Sequence, residues 1–324
     1  MALIPAVSRR GRRGRMLITG VAAILWIGVL LHLFPVYWML TSSVKGDIEI
    51  WQIPPQWWPN PAYLQVYQVL WNGLTSLLPY PLWVYVKNSI ILVVGVIVLQ
   101  IPCTILIAYA ISRLHTQFWS RVLFAFVVGT MMIPGEVSLI PSYLLLRYFP
   151  FPSSHIPNIP GTQIPFPHVD FLDTYWAVIL PSMAWGFAVL IMKGWFDSLS
   201  NEMLEAARMD GASELRILTS IAVPVSWPVI AFLGYSTFNS VWNSFLWPLI
   251  VLQKESLHPL AVAIYEAQSQ LQPMPGSPQS SIAQGVLGWN GVMAMGVIES
   301  IPVFIAFVIF REQIVRGVKI TGLG

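Results

Sequence analysis

Side chains that could take part in chemistry are few in this chain, and many of its acidic groups gather in one short stretch. Residues 200–228 have the sequence SNEMLEAARMDGASELRILTSIAVPVSWP and lie between two long apolar segments. Ser200 can cap a helix with an acidic first turn, and Gly211 can take the positive φ that ends such a helix. Ser213 then begins a second short helix. We predict two short helices joined by a tight glycine turn, and we call residues 197–222, which contain them, the knuckle.

The side chains around this turn favour docking over catalysis. Ala206, Ala207, Gly211 and Ala212 are small, so another protein surface can approach the backbone closely. A loop exposed only to water has no need for such access. The alternative is an ordinary amphipathic loop between membrane helices, and we favour a docking surface.

A second group of polar residues lies in the otherwise apolar segment AFLGYSTFNSVWNSFLWPLIVL. Polar groups are costly inside a membrane and therefore mark candidate functional positions. Their spacing puts them on one face of a helix, bordered by Trp242 and Trp247, whose rings could stack on sugars. Asparagine can bind sugar hydroxyls or hydrogen-bond a neighbouring helix, and both interpretations stay open. The candidate residues of a solute path are Ser236, Asn239, Ser240, Trp242 and Asn243.

Two acids, Glu136 and Glu299, fall within predicted membrane spans. Each could relay a proton or act as a gate in a secondary transporter. Each could instead lie near a membrane interface or pair with a helix end, and we favour this second interpretation.

Motifs for enzymatic chemistry are absent from the sequence. It contains no G-x-x-x-x-G-K-[ST] loop for nucleotide phosphates, no H-E-x-x-H and no G-x-S-x-G. The 5 histidines have no metal-ligand spacing, and the single cysteine, Cys103, cannot form an internal disulfide. The chain is therefore not an ATPase, and we expect no metal site.

The composition indicates an integral membrane protein. Hydrophobic residues make up 56% of the 324 residues, charged residues 10%, and the mean hydropathy is +0.68. Soluble domains carry about 25% charged residues. The length accommodates six spans of about 20 residues each, so we predict an all-α, polytopic membrane fold. The predicted spans are 16–40, 84–112, 118–146 (interrupted at Pro134–Gly135 and Pro141), 174–195, 225–251 and 286–310.

The distribution of basic residues predicts the orientation. With both chain ends in the cytoplasm (N-in, C-in), 13 of the 17 lysines and arginines fall on the cytoplasmic side, as the positive-inside rule requires. A basic tail could bind nucleic acid, but arginines beside a span are ordinary topology determinants, so we expect no nucleic acid partner. The knuckle then lies in the cytoplasm. The predicted parts are a basic tail at 1–15, a transmembrane domain at 16–311 with outer loops at about 44–82, 146–173 and 253–284, and a tail at 312–324.

The segment EAARMDGAS, followed by IAVPVSWP, resembles the EAA motif of ABC-importer permeases. In that family the motif forms a coupling helix that inserts into a cleft of a cytoplasmic ATPase subunit. The segment WNSFLWPLIVL is similar to a stretch in the second permease of maltose-type carbohydrate importers, except that Ser244 stands where aspartate is usual. The resemblance implies the type I ABC importer permease fold. The residues to which it gives the ATPase-coupling role are Glu205, Ala206, Ala207, Asp210, Gly211 and Ala212.

The same resemblance implies a permease subunit of an ATP-driven, binding-protein-dependent importer. The expected solute is a sugar or a sugar-like polyol or glycerophosphodiester compound. Expected partners are paired cytoplasmic ATPase subunits, a homologous second permease, an extracytoplasmic solute-binding protein and the lipid of a bacterial inner membrane. ATP and magnesium would bind the ATPase, so we expect no cofactor on this chain. The alternative is a self-contained transporter driven by protons or sodium, and a membrane enzyme is the least favoured hypothesis.

Overall fold

The computed structural model describes residues 12–73, 75, 77–114, 116–149, 169–271 and 287–320. Across these ranges the chain is helical, and the only β pairing in them is an isolated antiparallel bridge between Phe149 and Val169. The predicted all-α class is confirmed. The helices are α1 (Arg12–Ser42), α2 (Asp47–Trp51), α3 (Gln65–Asn72), α4 (Leu82–Tyr109), α5 (Gln117–Met131), α6 (Leu139–Arg147), α7 (Trp176–Ser182), α8 (Gly186–Asp197), α9 (Asn201–Met209), α10 (Glu214–Ile217), α11 (Val223–Val225), α12 (Trp227–Trp242), α13 (Leu246–Val251), α14 (Leu260–Gln270) and α15 (Trp289–Ile320).

The helices divide between two compact units. The first comprises Met1–Leu77 and Ala267–Ile298, and the second comprises Leu78–Glu266 and Glu299–Gly324. Two π-helical turns occur in the second unit, Ala110–Leu114 directly after α4 and Leu218–Ala222 directly after α10.

In the first unit, the segment after α1 caps the start of α15. The Asp47 carboxylate accepts hydrogen bonds from the backbone amides of Trp289 at 2.6 Å and Asn290 at 3.4 Å, which satisfies donors that a helix N-terminus leaves free. Burial raises the pKa of the Asp47 carboxyl more than these two hydrogen bonds lower it. A Cβ at Gly288 would collide with this carboxylate, so a larger residue there would have to displace Asp47 from its capping position. Residues 44–82, predicted as a loop, thus contain the short helices α2 and α3.

The second unit is built around α4, a 28-residue helix that is apolar on all sides. One buried apolar cluster joins the C-terminal half of α4 to α8 and α12 and includes Met192 and Leu233. Another joins the N-terminal half of α4 to α7 and α13 and includes Ala177 and Val251. The second unit therefore packs its helices against α4 along the length of that helix.

A buried amide connects three of these helices. Gln100 of α4 donates a hydrogen bond from Nε2 to the carbonyl of Ser182 in α7 at 2.7 Å. Its Oε1 accepts a hydrogen bond from the hydroxyl of Thr237 in α12. Because both ends of the amide are satisfied, Gln100 can be buried among apolar helices without an unpaired polar atom.

Fewer continuous spans are present than the six predicted. In the described residues, four helical segments are long and apolar enough to cross a membrane, and the pair Glu214–Val225 and Trp227–Trp242 passes as a fifth only if it is counted across its 77° bend. The four segments are Met16–Ser42, Leu82–Arg113, Trp176–Asp197 and Trp289–Glu312.

Three predicted spans contain a break. Residues 132–138 separate α5 from α6, as the sequence predicted, and residues 243–245 separate α12 from α13. The predicted span at 225–251 is therefore not one continuous helix, because Pro248 would clash with the carbonyl four residues earlier, whereas it is tolerated in the first turn of α13. Pro141 occupies the equivalent place in α6. Residues 183–185 interrupt the predicted span at 174–195, although Trp176–Asp197 keeps the length and composition of one span.

Some predictions fall partly outside the described residues. They concern residues 1–11 of the basic tail, 150–168 and 272–284 of the two later outer loops, and 321–324 at the end of the chain. In the described parts, α1 already begins at Arg12 and α15 continues to Ile320, so helices extend into both predicted tails.

Candidate functional site

The turn of the knuckle forms as the sequence predicts. Gly211 has φ +81°, and its amide donates to the Arg208 carbonyl at 3.0 Å, while the Ala212 amide donates to the Ala207 carbonyl at 3.0 Å. These two bonds form a Schellman motif, which satisfies the last carbonyls of α9. The Ser213 hydroxyl accepts from the Arg216 amide at 3.4 Å and caps α10. Helix α9 begins after Ser200 as predicted, but the Ser200 side chain makes no capping hydrogen bond.

One face of the knuckle is available to a partner. Its four exposed coupling residues from the sequence prediction are Glu205, Ala206, Asp210 and Gly211, and Ala207 and Ala212 are half-buried. Two apolar side chains that the sequence analysis did not single out, Met209 and Leu215, are 87% and 66% exposed. Exposed apolar groups beside small residues are typical of a surface that another protein covers.

Glu214 links the two arms of the knuckle to each other and to α4. Its carboxylate accepts a hydrogen bond from Arg208 Nε of α9 at 2.7 Å and one from the Tyr109 hydroxyl of α4 at 2.8 Å. The Tyr109 ring also packs edge-to-face on Phe196, with the ring centroids 5.6 Å apart. These contacts make the knuckle continuous with the helical core of the second unit.

The π-helical turn after α4 holds the other side of the knuckle. Ser112 donates to Asp197 at 2.5 Å, and Lys193 pairs with the same carboxylate at 2.6 Å. Arg113 donates to the side chain of Asn201 and, at 2.9 Å, to the carbonyl of Leu199. Sequence reasoning missed Tyr109, Ser112 and Arg113 as partners of the knuckle. Their polar side chains at the end of a long apolar run were the available signal.

The predicted polar stripe on α12 is only partly assembled. Asn239, Ser240 and Asn243 are exposed, and Asn243 donates to the carbonyl of Asn239 at 2.7 Å. Asn243 lies just beyond the end of α12. Ser236 is half-buried, and its hydroxyl donates to the carbonyl of Phe232 at 2.9 Å.

Trp242 occupies a different environment from the exposed part of the stripe. It is 2% exposed, its ring stacks on Phe238, and its indole N–H donates to the carbonyl of Glu299 at 3.0 Å. In the structure the Trp242 ring packs against other residues of this chain. Contact between this ring and a solute stays a prediction.

A cleft of about 280 Å³ lies beside the end of α12. Five serines contribute to its lining, together with the indole of Trp247 and several apolar side chains. Sequence reasoning had identified only Ser240 among these serines as a candidate. The lining residues are Gly135, Ser138, Leu139, Ser142, Val178, Pro181, Ser182, Ser240, Val241, Ser244 and Trp247.

The two acids of the predicted spans, Glu136 and Glu299, lie in different surroundings. Glu136 is exposed in the break between α5 and α6, and Glu299 is half-buried within α15. Neither belongs to the lining of the cleft. Their functional role stays a hypothesis.

Long apolar helices that carry an exposed polar knuckle and line a cleft with hydroxyl groups are typical of a subunit of a membrane transport system. The family described as "Binding-protein-dependent transport system inner membrane component" matches residues 100–320. The chain belongs to that family. It is a multi-pass protein of the bacterial inner membrane and a transport permease.

Curated relatives match nearly the whole chain. It is 29% identical over 292 residues to the sn-glycerol-3-phosphate transport system permease protein UgpE of Yersinia pestis bv. Antiqua (strain Antiqua), covering 90% of this chain and 92% of that protein. It is 27% identical over 307 residues to the UgpE protein of Salmonella typhimurium (strain LT2), covering 94% of this chain and 96% of that protein.

Solved structures share the fold. A chain of a bacterial ABC transporter involved in the import of the acidic polysaccharide alginate superposes with a TM-score of 0.72 at 23% identity, covering 93% of this chain and 98% of that chain. A chain of a bacterial alginate ABC transporter in complex with an alginate pentasaccharide-bound periplasmic protein gives a TM-score of 0.60 at 16% identity, covering 96% and 97%. The predicted type I ABC importer permease fold is confirmed.

Proposed function

We propose that this chain is one of two homologous permease subunits of an ATP-driven importer, and that its knuckle docks on a cytoplasmic ATPase. The observation that carries the proposal is the exposed Schellman turn at Gly211, flanked by the exposed side chains of Met209 and Leu215. ATP and magnesium would bind the ATPase subunits, and this chain would bind no cofactor. Membership of a binding-protein-dependent family supports this division of labour.

The contacts around Glu214 suggest how ATPase motion would reach the membrane helices. A force on α9 acts on Arg208, and the Arg208–Glu214–Tyr109 hydrogen bonds pass it to α10 and α4. The side chains of Arg208 and Glu214 are each about 40% exposed, so their ion pair contributes little to the free energy of folding. Its role would be to position α9 and α10 relative to each other.

We propose six membrane crossings with both chain ends in the cytoplasm. The broken pairs α5–α6 and α12–α13 would each make one crossing. Such breaks are tolerated at membrane depth where the backbone is buried in protein or lines a cavity. The charge distribution supports the orientation, because 13 of the 17 basic residues then lie on the cytoplasmic side.

The proposed solute is a sugar or a sugar-like compound such as a polyol or a glycerophosphodiester. A solute-binding protein on the outer side would deliver it to outer loops within 44–82, 146–173 and 253–284, and a second permease would complete the path. The relatives support a compound with hydroxyl groups: two are named for sn-glycerol-3-phosphate transport and one solved transporter for alginate import.

The first test is purification of the tagged protein from native membranes, with its partners identified by mass. Recovery of an ATPase subunit, a second permease and a solute-binding protein is the expected result. Recovery of the protein alone or only with copies of itself would contradict the proposal and would return attention to Glu136 and Glu299.

The second test concerns Gly211. Its surroundings would admit a Cβ, but its φ of +81° would strain a β-branched residue, by about 1–2 kcal/mol. Gly211→Val should therefore lower transport more than tenfold, while the amount of the variant protein in the membrane equals that of the wild type. Gly211→Asn is the control, because asparagine tolerates this conformation. Equal transport by both variants would argue against docking through this turn.

A further inference from the structure

The serine-lined cleft lies where three broken helical segments meet. Gly135 and Ser138 come from the break between α5 and α6, Ser182 ends α7 just before the second break, and Ser244 belongs to the break between α12 and α13. Irregular backbone at membrane depth is tolerated only where it is buried in protein or lines a water-filled cavity. Three breaks on one cleft therefore indicate a polar passage rather than three independent packing defects.

The hydroxyls around this cleft are available to a ligand. Some serines elsewhere in the second unit donate to a carbonyl one turn earlier, as Ser226 does to Ala222 at 2.6 Å and Ser236 to Phe232 at 2.9 Å. Of the five cleft serines, only Ser182 does so, to Val178 at 2.8 Å. Within the described part of the chain, the hydroxyls of the other four make no hydrogen bond. These four are Ser138, Ser142, Ser240 and Ser244.

The chemistry of the lining selects uncharged groups. None of the described residues that line the cleft is charged, and Trp247 adds an aromatic surface held by a hydrogen bond from its indole N–H to the Ala177 carbonyl at 3.1 Å. A phosphate or carboxylate placed here would lose its hydration without gaining a counter-charge.

We propose that this cleft is a solute subsite that takes an uncharged polyhydroxylated group, a sugar ring or a polyol, through the hydroxyls of Ser142 and Ser240 and the face of Trp247. The inference rests on the proposed importer function and adds the place and the charge selectivity of solute binding. The solute that the two curated relatives are named for carries a phosphate, and the described lining of this cleft offers a phosphate no cation.

The test measures uptake in cells that lack the chromosomal gene and carry plasmid-borne variants. The probes are radiolabelled glucose, maltose, trehalose, glycerol and sn-glycerol 3-phosphate. Gene-dependent uptake of at least one neutral probe is expected. In the Ser142→Ala, Ser240→Ala double variant, the KM for that probe should rise about three- to tenfold for each hydroxyl removed, the range expected for one hydrogen bond.

Two controls separate this inference from the proposed function. Ser120→Ala removes a hydroxyl that is outside the cleft and donates to the Ile111 carbonyl at 2.7 Å, so its KM should equal that of the wild type. Gly211→Val should lower uptake more than tenfold whether or not the cleft binds solute. If Gly211→Val lowers uptake more than tenfold but the double variant keeps the wild-type KM, the importer function stands and the subsite is refuted. Gene-dependent uptake of sn-glycerol 3-phosphate alone would also refute it.

Discussion

Removal of one hydroxyl should loosen the knuckle from the membrane helices. Tyr109 is buried, and its hydroxyl donates to Glu214 at 2.8 Å, which joins α4 to α10. Hydrogen bonds to charged groups contribute about 1.5–3 kcal/mol. The Glu214 side chain is 40% exposed, so solvent screening lowers the expected contribution to about 1 kcal/mol. Tyr109→Phe keeps the ring packing on Phe196 and removes only this bond.

Amide hydrogen exchange followed by mass spectrometry measures this effect directly. Exchange of the α10 amides reports local opening, and a loss of about 1 kcal/mol corresponds to about fivefold faster exchange. The matched control is Tyr175→Phe, which removes a phenol hydrogen bond of 2.7 Å to Asn88 near the other end of α4. Tyr175→Phe should leave the exchange of α10 unchanged.

Two outcomes would refute this reasoning. One is unchanged α10 exchange in Tyr109→Phe, which would mean that the hydrogen bond does not stabilise the junction. The other is equal acceleration in both variants, which would show general loosening of the second unit. If the knuckle couples to an ATPase as proposed, Tyr109→Phe should also lower the amount of solute transported per ATP hydrolysed.

Three further predictions concern polar contacts within each unit. Asp47→Ala removes the cap of α15, so the amide of Trp289 should exchange about fivefold faster, since such caps contribute about 1 kcal/mol. Gln100→Leu removes two interhelical hydrogen bonds of about 0.6 kcal/mol each and should lower the thermal stability of the detergent-solubilised protein. His258→Phe leaves the Leu252 carbonyl without its partner at 2.6 Å and should accelerate exchange in α13 and the segment that follows it. Unchanged values in any of these variants would contradict the corresponding contact.

The knuckle could be predicted from sequence because local rules determine it. A glycine that takes positive φ ends α9. Ser213 caps α10 by accepting a hydrogen bond from the amide of Arg216, three residues later in the chain. The contacts that attach it to α4 could not be predicted, because Tyr109 and Glu214 are 105 residues apart in the chain. Their meeting depends on how α4 packs against the knuckle, and helix periodicity carries no information about that.

The cleft illustrates the same limit in the membrane-spanning part. The spacing of Ser236, Asn239 and Asn243 predicted one continuous polar face, but the break before Pro248 ends α12 at Trp242. The exposed end of the stripe therefore meets residues from two other broken segments, such as Ser138 and Ser182. The polar residues of α12 could be identified from sequence. Their proximity to helix breaks that are distant in the chain could not.

Two helices connect the knuckle to the cleft, which gives the proposed coupling a physical route. Helix α12 follows the knuckle after a 77° bend and runs 16 residues, about 24 Å, to the cleft. Helix α4 holds the knuckle through Tyr109 and holds two cleft-forming helices through Gln100, which bonds Thr237 of α12 and the carbonyl of Ser182. Because α4 and α12 are packed together and tied at both levels, we expect a displacement of the knuckle to move two walls of the cleft jointly. Coupling through these helices would therefore change the shape of the cleft rather than only open a gate beside it.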